Sequence, residues 1–261
     1  MPSLYAHHRF GEQILPRLPA DIRGTIARHR AMFDSGLQGP DFLFFYKPSS
    51  KNPIRALAGA IHRQSGREYF TRICRELRID SDEEILAYLF GLLGHYCLDS
   101  VCHPFIRSRT GSDSHKHNAM ESEFERYLLA RDGVKKPHTY PRSRLTRLNQ
   151  HQCGLIRSFY EPAAGDEIFA AAQSQRLFIS LLTCSNGLHR AIAGAVVQSL
   201  GEDTMGLIIP PKPDPEFSAD NEPLLALFDQ ALERYPVLMD RLRDHLTFRE
   251  PLSEGFDAIF G

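Results

Sequence analysis

The sequence predicts an all-α fold in a single domain that spans residues 1–261. Apolar residues recur with a period of about 3.6 in one segment after another, and proline and glycine separate these segments. A short apolar run at 207–210 is the one candidate for a strand. A chain of 261 residues is long enough to bury a substantial core. We therefore expect a multi-helix bundle.

The first third of the chain is predicted to form short helices joined by turns. Pro16, Pro19 and Gly36 punctuate the first two amphipathic segments. The expected elements are, in chain order, helices 4–15 and 21–33, a loop at 36–51 with an apolar centre at 42–46, and helices 53–64 and 68–77.

A longer helix is expected at 81–103. Ser-Asp-Glu-Glu at 81–84 has the pattern of a capping box at its start, and Pro104 is expected to end it. Further helices are predicted at 115–131, 143–159 and 166–200, the last of them broken near Asn186.

The end of the chain is predicted to hold a loop and a helical hairpin. Residues 201–223 are rich in Pro, Asp, Glu and Gly, which is typical of a surface loop, and this loop could cover a site or mediate association. Residues 223–246 are expected to form a hairpin interrupted at Pro236. Residues 130–261 carry no motif, and we expect them to complete the bundle around the motif-bearing part, residues 1–129.

Charge and cysteine content restrict the partners and the compartment. With 31 Lys+Arg against 32 Asp+Glu, the net charge of -1 argues against an extended nucleic-acid surface. We see no secretion signal, and the apolar stretch 177–200 is too interrupted by polar residues to span a membrane. The five cysteines form no CxxC pair, which favours reduced, buried thiols in a cytoplasmic protein. The oligomeric state stays open.

His95, Asp99 and His103 form the sharpest feature of the sequence. They are spaced four residues apart on the predicted helix 81–103, so they drift only about 80° around it and share one face. Buried polar side chains need partners, because unpaired burial costs about 1–3 kcal/mol per group. Imidazoles and a carboxylate meet this need by binding Zn²⁺ or a similar divalent ion. The alternative is an exposed or hydrogen-bonded stripe without metal.

Several weaker candidates accompany this stripe. His117 and Glu121 share a helix face, with His115 and Glu125 as competing candidates. A carboxylate follows the turn Gly39-Pro40, one histidine lies on an otherwise apolar helix, and two histidines stand near the start of the chain. The full candidate set has five imidazoles and three carboxylates, enough for two or three metal ions: His7 (or its neighbour His8), Asp41, His62, His95, Asp99, His103, His117 and Glu121.

In this order the motifs resemble the zinc-dependent phospholipase C family, whose relatives include the zinc-dependent single-strand nucleases. The likeness covers about residues 1–129. It rests on His7 near the start, Gly39-Pro40-Asp41, His62, His95-x3-Asp99-x3-His103-Pro104 and His117-x3-Glu121. The pattern Tyr5-Ala6-His7-x2-Phe10-Gly11 is similar to a bacterial branch of the family without a secretion signal.

The resemblance implies an all-helical fold with three zinc ions in a cleft. One ion would be held by residues similar to Asp41, His62, His95 and Asp99. Asp99 would bridge to a second ion, held also by His7 and by backbone atoms of the first residue, which is a Trp in the secreted relatives; this chain has no Trp. The third ion would be held by His103, His117 and Glu121.

The expected function is a metal-dependent phosphoesterase, and the resemblance implies phospholipid head groups as substrates. Asp41 is our candidate to orient or deprotonate the attacking water. The aromatic side chains at 42 and 44–46 would wall the cleft or pack in the core. One alternative is a nuclease or nucleotidase that uses the same ions. Another is a non-catalytic helical module in which the metals are structural or absent.

Overall fold

The prediction of an all-α fold is confirmed. The computed structural model describes residues 4–184, 186–200 and 202–261. The chain is 73% helical, and no strand occurs in these described ranges. An isolated β-bridge joins Ser65 to Ile259 and thereby ties the end of the chain to the start of a helix.

Eleven α-helices lie within the described ranges. In chain order they are α1 (Leu4–Ile14), α2 (Ala20–Arg28), α3 (Arg30–Gly36), α4 (Pro53–His62), α5 (Gly66–Ile73), α6 (Glu83–Thr110), α7 (Ser114–Arg131), α8 (Gln150–Leu155), α9 (Gly165–Leu182), α10 (Gly187–Leu200) and α11 (Asn221–Phe248). A 3-10 helix at Gly39–Phe45 precedes α4, and another at Glu202–Leu207 follows α10.

Helix α6 runs through the centre of the core. It crosses α3 so closely that a Cβ atom on Gly36 would lie 2.2 Å from the carbonyl oxygen of Tyr88. On another side α11 packs against it, where the Tyr235 hydroxyl donates a 2.8 Å hydrogen bond to the carbonyl of Phe90. By length and composition alone, helix α6 could cross a membrane. However, 89% of its most apolar 18-residue stretch is buried inside the fold. Its apolar character is therefore that of a core helix.

Two prolines that were expected to interrupt helices do not. Helix α6 continues past Pro104 to Thr110, and α11 is one helix through Pro236 where we predicted a hairpin. A proline inside a helix costs about 3 kcal/mol, whereas each fully buried large apolar side chain contributes about 1.5–3 kcal/mol. Beyond Pro236 the helix buries four such side chains: Leu238, Met239, Leu242 and Leu246. Tertiary packing thus outweighs the local preference.

Other boundaries differ in smaller ways. The predicted helix 21–33 is two helices that meet at His29, and of the segment predicted at 143–159 only Gln150–Leu155 is α-helical. The break expected near Asn186 occurs between α9 and α10. The apolar centre of the loop 36–51 is a 3-10 helix with a mostly buried surface.

The segment 201–223 is not a simple surface loop, although Gly201 itself lies outside the described residues. It contains a 3-10 helix, and Leu207, Ile209 and Phe217 are buried. A Cβ atom on Gly206 would lie 2.5 Å from the carbonyl oxygen of His115, so the backbone packs directly on α7. The polar composition predicted exposure, but the few apolar side chains find a partner surface on the bundle.

Candidate metal centre

Three groups of metal-ligating side chains lie together on α1, the 3-10 helix Gly39–Phe45, α4, α6 and α7. Within each group the donor atoms lie within 4.8 Å of one another. The groups are His7, His95 and Asp99; Asp41, His62 and His95; and His103, His117 and Glu121. The structure thus brings all eight candidates of the sequence together, while their role as ligands stays a prediction.

Asp99 lies at the centre of the arrangement. Its Oδ1 is 3.1 Å from Nε2 of His7, and its Oδ2 is 3.3 Å from Nε2 of His95 and 3.7 Å from Nδ1 of His103. Residues 95, 99 and 103 follow one another by single turns of α6, so the helix itself sets this spacing. A carboxylate with two oxygens directed at different imidazoles is suited to bridge two ions.

The turn before Asp41 needs its glycine. Gly39 has a φ of 53°, and a Cβ atom there would lie 2.3 Å from the ring of His95. The glycine therefore lets the 3-10 helix lie directly on the His95 ring and brings the Asp41 side chain into the core. There Oδ1 of Asp41 is 3.0 Å from Nε2 of His62.

Backbone carbonyls fix how two of the imidazoles are oriented. Nδ1 of His62 is 2.7 Å from the carbonyl oxygen of Ala58, and Nδ1 of His95 is 3.3 Å from that of Leu37. A carbonyl oxygen only accepts hydrogen bonds, so in each neutral ring the proton is on Nδ1. The lone pair of Nε2 then faces the carboxylates, which is the arrangement that metal-binding histidines adopt.

The third group lies nearer to the surface. Nε2 of His103 is 3.1 Å and Nε2 of His117 is 3.3 Å from Oε1 of Glu121. His103 belongs to α6, whereas the other two residues lie one turn apart on α7. The His117 side chain is 21% exposed, and this exposure opens the group to solvent.

Burial and neighbouring charges favour metal-competent protonation states at His95, His103 and Asp99, whereas at His7 the effect of burial is outweighed by Asp99, which raises the pKa of that imidazole. Burial lowers the pKa of His95 to about 4, and it also lowers that of His103, so both rings are neutral at pH 7. Burial alone would raise the pKa of Asp99, but the imidazoles of His103, His95 and His7 hold it well below its usual range. A neutral imidazole beside an ionised carboxylate is the form that binds a divalent cation.

Several buried atoms of the cluster have no hydrogen-bond partner in the described part of the chain. They include Nδ1 of His7, Nε2 of His62, Nε2 of His95 and Oδ2 of Asp99. A cavity of about 20 Å³, enough for one water or one ion, is lined by His7 and Asp99 together with residues of the third group. Of the four atoms, those of His7 and Asp99 belong to residues that line this cavity. Imidazole nitrogens and carboxylate oxygens without a hydrogen bond are the donor set that Zn²⁺ prefers, so the residues fit zinc.

A larger cleft of about 430 Å³ opens next to the groups. His62, His103 and His117 line it, whereas Asp41 lies behind His62 and does not. Of the four aromatic residues expected to wall the cleft or pack in the core, Phe44 lines it, while Phe42 and Phe45 are buried in the core. The cleft therefore gives a substrate access to two of the three groups.

Sequence reasoning missed part of the cleft wall. Arg55 and Arg107 line it, and so does Gly261. Residues 257–261 fold back along α4, where the amide of Gly261 donates to the carbonyl of His62. A Cβ atom on Gly261 would lie 2.5 Å from Nδ1 of His103. Arg107 was detectable as the next member of the 95–99–103 stripe, but no signal in the sequence links the end of the chain to the site.

The alternatives left open by the sequence lie elsewhere. His8 is half-buried, with its Nε2 3.9 Å from Oε1 of Glu12 and its Nδ1 3.8 Å from Oδ1 of Asp34. His115 is exposed. Glu125 is buried and pairs with Arg142. The candidate groups thus contain His7, His117 and Glu121 and not these neighbours, and their role as ligands stays a prediction.

Comparison with known proteins agrees with this geometry. The sequence profile of the zinc dependent phospholipase C family matches residues 6–162, more than half of the chain. No curated protein and no solved structure matches significantly. The matched region contains all eight residues of the three groups and extends beyond the motif-bearing part expected from the sequence. This chain belongs to the zinc-dependent phospholipase C family.

Proposed function

We propose that this protein is a zinc-dependent hydrolase that cleaves the phosphodiester bond between the glycerol and the head group of a phospholipid. The observation that carries the proposal is the clustering of three His and carboxylate groups, two of which open onto one cleft, in a chain of this family. Hydrolysis adds water across the bond. The water oxygen joins phosphorus, the glycerol oxygen leaves with a proton, and the products are a diacylglycerol and a phosphorylated head group.

When bound, clustered zinc ions neutralise the phosphate oxygens and lower the pKa of a coordinated water from about 15.7 toward 7. The chain's own residues provide the rest. His62 and His95 would hold an ion with the lone pairs of their Nε2 atoms, since their Nδ1 protons are held by backbone carbonyls. Asp99, whose two oxygens face His7, His95 and His103, would also hold zinc. No covalent nucleophile is required.

We assign Asp41 the task of orienting the attacking water and accepting its proton. The carboxylate is buried, and its Oδ1 lies 3.0 Å from Nε2 of His62, which lines the cleft. A carboxylate at this position can serve as a base, as a ligand, or as both. Asp41→Asn distinguishes these roles, because the amide keeps an oxygen for a metal but cannot accept the proton. We expect most of the zinc to be retained and turnover to fall about 100-fold or more.

The central test combines elemental analysis with hydrolysis assays on phospholipids, nucleotides and single-stranded DNA. We expect about two or three zinc ions per chain and hydrolysis of phospholipids. His95→Ala should lose zinc and reduce activity by more than about 100-fold, since removal of a ligand has a greater effect than the 10- to 100-fold of an outer-shell residue. His8→Ala and His115→Ala are matched controls that should change neither.

Each alternative function has its own outcome in this test. Hydrolysis confined to nucleotides or DNA would replace the proposal with a nuclease or nucleotidase. Bound zinc without hydrolysis of any substrate would leave a helical module with structural metals. Full activity in His95→Ala would overturn the site itself. A cytoplasmic location belongs to the proposal too, supported by five buried cysteines without disulfides.

A further inference from the structure

Two arginines continue the ligand stripes of their helices to the wall of the cleft. Arg107 lies one turn after His103 on α6, and Arg55 lies two turns before His62 on α4. Each arginine therefore shares a helix face with a member of the candidate metal groups. Both side chains are half-buried, and both line the same 430 Å³ cleft as the two histidines.

Neither arginine forms an ion pair with a carboxylate of the described residues. Nη1 of Arg55 donates to the carbonyl oxygens of Pro48 and Ser50, at 2.9 and 3.1 Å, and its Nε is buried without a hydrogen-bond partner. Arg107 makes no ion pair or side-chain hydrogen bond with the described residues. Its neighbour Arg109 differs, because Nε of Arg109 binds Asp220 at 3.0 Å.

The rest of the wall does not offset these two charges. Among its described side chains, Asp113 is the acidic one, and it is exposed to solvent. Its Oδ1 already accepts a hydrogen bond from the amide of Lys116 at the start of α7. The remaining wall is Phe44, small residues and candidate metal ligands. A ligand next to the metal groups therefore meets two guanidinium groups that no acidic side chain of the described residues pairs with.

We propose that Arg55 and Arg107 form an oxyanion subsite for the head group, so that the enzyme prefers phosphodiesters whose head group carries a second phosphate or a carboxylate. This rests on the proposed function and names its substrate class. A guanidinium binds phosphate and carboxylate through two parallel N–H donors, and it repels a quaternary ammonium such as choline. The zinc groups would take the scissile phosphate, and the arginines would take the other anion.

The test compares short-chain phospholipids with identical acyl groups and four head groups: phosphorylated inositol, serine, glycerol and choline. For the zinc-loaded wild type we expect kcat/KM to be at least about 10-fold higher with phosphorylated inositol than with choline, since a charge-assisted pair contributes about this much. A preference for serine as well over glycerol would assign carboxylates to the subsite; a preference for phosphorylated inositol alone would restrict it to phosphate.

Variants separate this subsite from the metal centre. Arg55→Gln and Arg107→Gln should each lower kcat/KM about 10-fold with the phosphorylated inositol lipid and less than about 2-fold with the choline lipid. Arg109→Gln is the matched control and should change neither value. Zinc content should be the same in all variants. Equal rates with all head groups, or equal losses on all of them, would overturn the subsite.

A binding measurement distinguishes failure of the subsite from failure of the proposed function. By calorimetry, myo-inositol 1,4-bisphosphate should bind the zinc-loaded protein at least about 10-fold more tightly than phosphocholine, and Arg107→Gln should remove this difference. If no lipid is hydrolysed but this difference is present, the phospholipase proposal fails and the subsite stands. If lipids are hydrolysed but the two compounds bind alike, the subsite fails alone.

Discussion

Two sets of buried carboxylates in this protein have very different partners. Glu123 accepts hydrogen bonds from Arg126 at 2.6 and 2.7 Å and from the Asn221 amide at 2.9 Å. Glu125 is paired with Arg142 and with the backbone of α1. Asp99 instead faces three imidazoles, and its Oδ2 has no hydrogen bond among the described residues. The glutamates of the first set are paired with arginine side chains, whereas Asp99 is surrounded by histidines.

The contrast is sharpest on α7, where Glu121, Glu123 and Glu125 occupy every second position over about one turn. All three are buried, so each requires a compensating positive charge. An arginine is always charged and completes an ion pair by itself, whereas burial lowers the pKa of His95 and His103 and disfavours their charged forms. The difference fits a structural role for the glutamates paired with arginine, and a metal site where several imidazoles surround a carboxylate.

The largest expected effect on stability comes from removing an arginine that pairs with a buried glutamate. Arg142→Met leaves the buried Glu125 carboxylate without its cation, and we expect the free energy of unfolding to fall by about 3–5 kcal/mol. Urea denaturation measures this loss. The double variant Glu125→Leu with Arg142→Met should recover most of it, because an apolar pair needs no counter-charge. Zinc content per folded chain should stay unchanged; a loss of zinc would show that the two sets are coupled.

The next effect is the stabilisation by zinc at the carboxylates that are surrounded by histidines. Zinc should stabilise the folded protein, by about 2.7 kcal/mol when its free concentration is 100 times the Kd. Thermal unfolding with and without zinc measures this gain. His95→Ala should abolish the zinc-dependent rise in Tm, and Arg142→Met should retain it despite its lower baseline. An equal rise in wild type and His95→Ala would contradict the assignment of His95 as a ligand.

A smaller effect on stability and zinc binding is expected at the turn of Gly39, where the backbone lies against the ring of His95. Gly39→Ala places a side chain in a left-handed conformation, at a cost of about 1–2 kcal/mol, and against the ring of His95. Gly133→Ala is the matched control, since Gly133 also has positive φ but a Cβ atom there meets nothing within 4 Å. Both should lower the free energy of unfolding, and Gly39→Ala alone should weaken zinc binding. Unchanged zinc affinity in Gly39→Ala would separate this turn from the site.

Much of the site was predictable because it depends on local periodicity. The four-residue spacing of His95, Asp99 and His103 places them on one face of any α-helix, whatever surrounds it. The same holds for His117 and Glu121. The choice between His7 and His8 was not predictable, because adjacent residues point about 100° apart and only the position of α6 decides which one meets Asp99.

The sequence by itself determined the helical class, the order of the ligand candidates and their grouping on helix faces, because these follow from short-range periodicity. The tertiary structure decided which prolines end a helix, which glutamates are paired by arginine, and that Arg55, Arg107 and residues 257–261 share one cleft with the histidines. These features arise from contacts between residues far apart in the chain. No local pattern records such contacts, because their free energy comes from burial and charge pairing between whole helices.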